Sequence, residues 1–221
     1  MKSISKSTLE FLSDLKINNY RDWFQQNKAR YEDARSDFES FVQALLDEII
    51  TFDPILKGLE ARNCIYRIYR DIRFSADKSP YKSHMGAVIV RGGRNSTGRY
   101  AGYYVHVEPG DESIIGGGAY MPPSPWLSAI RDKISEQGEE LADIINDRGF
   151  AAVFGEIEGE KLKSAPKGYP KDHPFIGLLR YKSFLASRTV TDREVVSADF
   201  FSLTVKAFKI MKPFNDFLNE Y

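Results

Sequence analysis

The chain has 221 residues, 42% of them hydrophobic and 13% aromatic, so it can bury a sizeable core, and no apolar run reaches the roughly 18 residues a membrane helix needs. Lys+Arg and Asp+Glu both number 31, and the resulting zero net charge argues against wholesale coating of nucleic acid while leaving room for a local basic groove. The single cysteine, Cys64, excludes an intrachain disulfide, and the polar stretch Met1 to Thr8 lacks the apolar core of a secretion signal, so the expectation is a soluble, cytoplasmic protein.

Ser7 with Glu10 forms a capping-box pattern, and Leu9, Leu12 and Leu15 follow at helical spacing up to a break at Asn18-Asn19. Tyr31, Ala34, Phe38, Phe41, Val42, Leu45 and Ile49 trace one stripe of a longer helix, which Asp53-Pro54 ends. The middle of the chain alternates instead. Cys64 to Phe74, His84 to Val90, Tyr100 to Val107 and Ser113 to Tyr120 read as strands, separated by turns at Arg91 to Asn95 and Glu108 to Asp111. Gly116-Gly117-Gly118 suits a bulge or a close backbone approach, and no Gly-Lys-Ser/Thr follows to make it a phosphate loop.

Ser124-Pro125 opens a helix that Gly138 closes, and Glu139 to Asn146 reads as a further one. Gly155 to Pro174 is irregular. Its Lys161, Lys163, Lys167, Lys171 and His173 form a solvated loop, with a lid over an anion as the alternative. Ser197 starts a last helix, which Pro213 must kink or restart. The fold expected is α+β: a single domain over 1–221 with an antiparallel meander from about Cys64 to Tyr120, packed by N-terminal and C-terminal helices.

One segment concentrates charge. Arg67, Arg70, Arg73, Lys78 and Lys82 face only Asp71 and Asp77 within Arg67 to Lys82. Guanidinium groups held this close call for an anion or for carboxylate partners. As a strand, the segment puts Arg67, Tyr69, Asp71 and Arg73 on one face and Tyr66, Ile68, Arg70, Ile72 and Phe74 on the core side. Arg67, Arg73, Lys78 and Lys82 would then bind a small phosphorylated or carboxylated ligand, with a hydroxyl from Tyr81. Arg70, Asp71 and Asp77 would stand behind them and orient them. Trp23, Asn27 and Tyr31, at i, i+4 and i+8, share a helix face that either joins the core or closes the cavity.

The spacing Arg67-x-x-Arg70-Asp71-x-Arg73-Phe74-x-x-Asp77-Lys78-x-x-Tyr81 resembles the signature of the DUF2461 family of bacterial proteins. Trp23-Phe24-x-x-Asn27-x-x-x-Tyr31, Gly102-Tyr-Tyr104-x-His106-x-Glu108-Pro109, Pro166-Lys-Gly168-Tyr169, His173-Pro174 and Lys182-Ser-Phe184 extend the resemblance over nearly the whole chain. It implies that the basic segment is a family hallmark, and it carries over no reaction.

Tyr104, His106 and Glu108 share a face of their strand by alternation. His106 with Glu108 is the acid–base candidate, against the simpler reading of a hydrogen-bonded sheet residue beside a strand-end charge. No metal is expected. His84, His106 and His173 are not paired at ligand spacing, and arginines compete for Asp71, Asp77 and Glu108. Cys64 reads as core, and no cofactor is indicated. A small-anion pocket leads. A nucleic-acid-binding module with Tyr66, Tyr69 or Tyr81 stacking on bases is the alternative, and a protein-interaction module built on a structural ion-pair network is the second.

Overall fold

The computed structural model describes residues 3–219; Met1 and Lys2 of the polar start, and the last two residues, lie outside them. The first helix, α1 (Lys6–Ile17), is capped by Ser5, whose hydroxyl accepts from the Thr8 amide, and not by Ser7 as the pattern suggested. Asp37 decides this, because its carboxylate takes both the Ser5 amide (2.8 Å) and the Thr8 hydroxyl (2.6 Å). Two helices follow, α2 (Arg21–Gln26) and α3 (Lys28–Phe52), parted at Asn27. Asn27 spends its amide on the Trp23 carbonyl (2.9 Å) and its oxygen on Arg30 (3.2 Å). The expected continuous face is therefore broken, although Trp23 and Tyr31 still meet Phe11 at 6.1 Å each.

A single turn of helix, α4 (Ala61–Cys64), leads into the segment expected as the first strand. That expectation fails. Residues 65–70 run antiparallel to 80–87 through isolated bridges, Ile65 to Ala87 and Tyr69 to Tyr81, and residues 71–79 leave the sheet as a loop. The side chains of this loop hydrogen-bond to its own backbone and to one another, which offers the chain an alternative to ladder pairing. Ile72 and Phe74 do not reach the core, and the Phe74 ring is 96% exposed.

The meander is β1 (Met85–Ile89), β2 (Gly102–Val107) and β3 (Ser113–Ala119). Next come α5 (Ser124–Asn146), α6 (Arg148–Phe154) and α7 (Ile176–Leu179), then a fourth strand, β4 (Phe184–Val190), followed by α8 (Asp192–Val195) and α9 (Phe200–Asn219). The sheet is antiparallel throughout in the order β1-β2-β3-β4. The two helices expected around Gly138 are joined as α5 through a kink at Gln137 (φ −132°, ψ 30°). α9 runs through Pro213, held by the burial of Phe208, Met211, Phe214, Phe217 and Leu218. The chain has an α+β fold, and one core cluster extends from Ile4 to Leu218.

Long-range hydrogen bonds tie the layers together. Trp126 Nε1 donates to the Leu218 carbonyl (2.9 Å), fixing α5 to α9. The Tyr103 hydroxyl donates to Asp53 (2.8 Å), fixing β2 to the end of α3. Asn19, read from the sequence only as a helix break, acts as a one-residue strand partner. Its amide donates to the Tyr81 carbonyl (3.0 Å) and its oxygen accepts the Tyr81 amide (3.1 Å). Asn19→Ala strands both groups, and we expect a loss of about 1–3 kcal/mol in urea unfolding.

Candidate functional site

The basic segment divides into two parts with different partners. Asp71 accepts two hydrogen bonds from the Arg73 guanidinium (2.9 and 2.6 Å), and these hold its carboxyl down at about 2. The Arg73 side chain is 74% exposed. Lys78 Nζ donates to the Ile72 carbonyl (3.0 Å). Asp77 accepts from the Ser79 amide (2.9 Å) and hydroxyl (2.6 Å) and pairs with Arg70, and these bonds depress its pKa strongly. Arg73 and Lys78 thus close the loop over residues 71–79, away from the cavity that Arg67 lines. Arg70 pairs with an exposed carboxylate and not with a buried one.

Arg67 and Lys82 behave differently. They line a cavity of about 500 Å³ between α3, α4, residues 65–69 and the turn after β1. Arg35, Arg62 and Arg94 join them from distant parts of the chain, and Glu39 is the one acid in the wall. Tyr31, Tyr66 and Tyr69 supply aromatic surface. Arg62 pairs with Glu60, and Arg94 donates to the Arg62 carbonyl (2.6 Å). Arg67 makes no ion pair or hydrogen bond among the described residues. Lys82 Nζ lies 5.3 Å from the centre of the Tyr66 ring, and burial together with the neighbouring Arg67 lowers its pKa. Lys82 is partly buried, whereas Arg67 is exposed and acts through space on the Asp71 carboxylate.

The other expected ligand residues are elsewhere. Tyr81 is 3% exposed and stacks on Phe24 with ring centres 4.0 Å apart, so it belongs chiefly to the packing. It also borders a second cavity of about 380 Å³ with Lys16, Asn19, Arg70, Asp77, Lys82 and His84. Trp23 and Asn27 line neither cavity. The lysine-rich loop after α6 packs toward α5, where Tyr169 donates to Asp132 (2.7 Å) and His173 meets Ser135 (3.1 Å), and none of its residues lines the Arg67 cavity.

The sheet register assembles a further group. Met85 pairs with Val107 and Gly86 with His106, so His84 falls opposite Glu108, and His84, Tyr104, His106 and Glu108 share one face. Glu108 Oε2 meets His106 Nε2 (2.8 Å) and lies 3.7 Å from His84 Nδ1. Ser83 donates to Glu108 Oε1 (2.8 Å), and Tyr104 meets His106 Nδ1 (2.9 Å). The two imidazoles stack with centres 4.2 Å apart. Burial and the neighbouring His106 push the His84 pKa down to about 4 against the pull of Glu108. Desolvation works to raise the Glu108 pKa, but the bonds from His106 and Ser83 outweigh it and the net shift is downward. Burial pushes Tyr104 up to about 12, which keeps its hydroxyl protonated. The sequence placed Tyr104, His106 and Glu108 on one face and left out His84, which only strand pairing reveals.

Cys64 is fully buried, and burial pushes its thiol up to about 12. It should resist iodoacetamide in the native protein and react once urea unfolds the chain; rapid native labelling would contradict this placement.

Among the described residues no helix is long and apolar enough to cross a membrane. No curated protein and no solved structure matches the chain. The sequence model of a family described as "Conserved hypothetical protein (DUF2461)" matches residues 7–217. That span carries both the basic segment and the His–Glu group, and the chain belongs to the DUF2461 family.

Proposed function

We propose that the protein binds a small anionic ligand, phosphorylated or carboxylated, in the cavity bordered by Arg67 and Lys82. The observation that carries this reading is the charge of the wall: Arg35, Arg62, Arg67, Lys82 and Arg94 against Glu39, around about 500 Å³. That volume falls in the range of small-molecule sites, roughly 300–1,000 Å³. Gathering these cations, of which Arg62 is paired with Glu60, around one acid costs electrostatic energy that a bound anion relieves. The half-covered rings of Tyr66 and Tyr69 favour a ligand with a flat or aromatic part beside its anion. The single buried thiol fits the expected cytoplasmic setting.

A thermal-shift series tests the reading with inorganic phosphate, nucleotides, sugar phosphates, dicarboxylates and a short oligonucleotide at two salt concentrations. Saturation at about 100 Kd adds about 2.7 kcal/mol to stability, which is readily seen as a rise in Tm. A rise with one class of small anion supports the proposal. A rise with the oligonucleotide alone, erased by salt, would replace it with a nucleic-acid module, because backbone contacts are strongly salt-dependent. No rise with any of them would leave docking of an acidic protein as the alternative.

A further inference from the structure

Two imidazoles and a carboxylate converge on one face of the sheet, outside the wall charges that carry the anion reading. One donor atom each from His84, His106 and Glu108 lies within 4.8 Å of the other two. Three ligands around one first-row ion at about 2.0–2.2 Å stand roughly 3–3.5 Å apart. The three donor atoms already stand near the spacing that a shared ion requires.

The surroundings carry the supporting features of such a site. His106 presents Nε2 to the group while its other nitrogen, Nδ1, meets the Tyr104 hydroxyl at 2.9 Å. A metal-ligating histidine is commonly held by its second nitrogen in this way. Gly86 leaves room for this hydroxyl, because a Cβ there would sit 3.1 Å from the Tyr104 oxygen. Ser83 holds the second oxygen of Glu108 at 2.8 Å and leaves Oε2 toward the imidazoles. His84 makes no hydrogen bond among the described residues, so its ring nitrogens are not committed elsewhere.

We propose that His84, His106 and Glu108 bind a divalent first-row transition ion such as Zn2+. Two nitrogens and one carboxylate form a ligand set for which imidazole-preferring metals compete well, and three protein ligands leave a coordination position open. The charged groups around the set are mixed. Lys16 approaches Glu108 at 3.7 Å but is paired with Glu112 at 2.6 Å, and Lys82 and Arg70 are near enough to His84 to oppose its charge. These cations oppose a bare metal ion and favour one whose open position carries an anion. His84 borders both cavities, so an anion bound in either lies next to the ion. The inference does not rest on the anion reading, because its ligands are different residues.

The test is calorimetric titration of the chelator-stripped full chain with ZnCl2, together with the visible absorption of the Co2+-loaded protein. We expect one Zn2+ per chain and Co2+ bands that indicate nitrogen ligation. His84→Ala and Glu108→Gln should each weaken Zn2+ by at least about 100-fold, and Tyr104→Phe by about 10-fold. The metal-free His84→Ala protein loses the stacking on His106 but no hydrogen bond, so it should still fold; it decides the matter alone if Glu108→Gln does not fold. Substoichiometric Zn2+, or an isotherm and a Co2+ spectrum that survive His84→Ala unchanged, would overturn the proposal.

Discussion

Arg67→Ala should weaken binding of the small anion by about 10- to 100-fold, the equivalent of one charge-assisted hydrogen bond of about 1.5–3 kcal/mol. The variant should remain folded. Arg67 lines the cavity and makes no ion pair or hydrogen bond among the described residues, so removing it leaves no carboxylate stranded. A structural ion-pair network predicts the reverse pattern, with a fall in stability and no ligand to lose. Arg70→Ala is the paired control. It removes the partner of Asp77, so it should loosen the loop over residues 71–79 and speed proteolysis there while leaving the Arg67 cavity charged. Ligand titration and urea unfolding of both variants separate the two pictures. If Arg67→Ala unfolds easily and Arg70→Ala abolishes binding, the assignment of the two arginines is wrong.

Gly117→Ala should be strongly damaging to the sheet. Gly117 pairs with Tyr103 on one side and Ala186 on the other, and its α-hydrogen face is turned toward α9. A Cβ built there overlaps the Gly102 carbonyl oxygen and Met211 Sδ. The methionine is able to move, but the carbonyl belongs to the neighbouring strand and is not. Overpacking of this kind costs about 1–3 kcal/mol and occasionally more, and a backbone atom as the obstacle argues for the upper end. Against a total stability of about 5–15 kcal/mol, that is a large fraction. The urea midpoint should fall sharply with the slope unchanged, and a midpoint near wild type would show that the strands separate more easily than the register suggests.

The same glycines show what the sequence could convey. Gly116-Gly117-Gly118 suited a bulge or a close approach; the register runs unbroken through all three, and close approach is what is found. Strands with local alternation, such as Tyr103, Val105 and Val107 against Tyr104 and His106, were legible because the period of two is written into neighbouring residues. β4 was not recognised, although Phe184, Ala186 and Val190 alternate, because Ser187, Arg188 and Thr189 dilute the pattern. The basic segment misled in the opposite direction. Its Ile and Tyr content suggested a strand, but the bonds of Asp71 and Asp77 within the loop prevail over ladder pairing.

The site was legible only where its residues are neighbours in the chain. Arg67 and Lys82 stood out in one segment, whereas Arg35, Arg62 and Arg94 reach the same cavity from α3, α4 and the turn after β1 with no shared local pattern. His84 lies 24 positions from Glu108, and strand register alone brings them together. Arg73 and Lys78 carried the same charge signal as Arg67 and are engaged locally, which composition does not distinguish.

The proposed function requires an anion between Arg67 and Lys82. Crystals of the protein soaked in tungstate provide the most direct test, because the heavy anion reports its own position by anomalous scattering. The account predicts a peak within hydrogen-bonding reach of the Arg67 guanidinium and the Lys82 ammonium, bordered by Tyr66 and Tyr69. A cavity without a peak, with tungstate bound instead at Arg73 or along the lysine-rich loop, would contradict it.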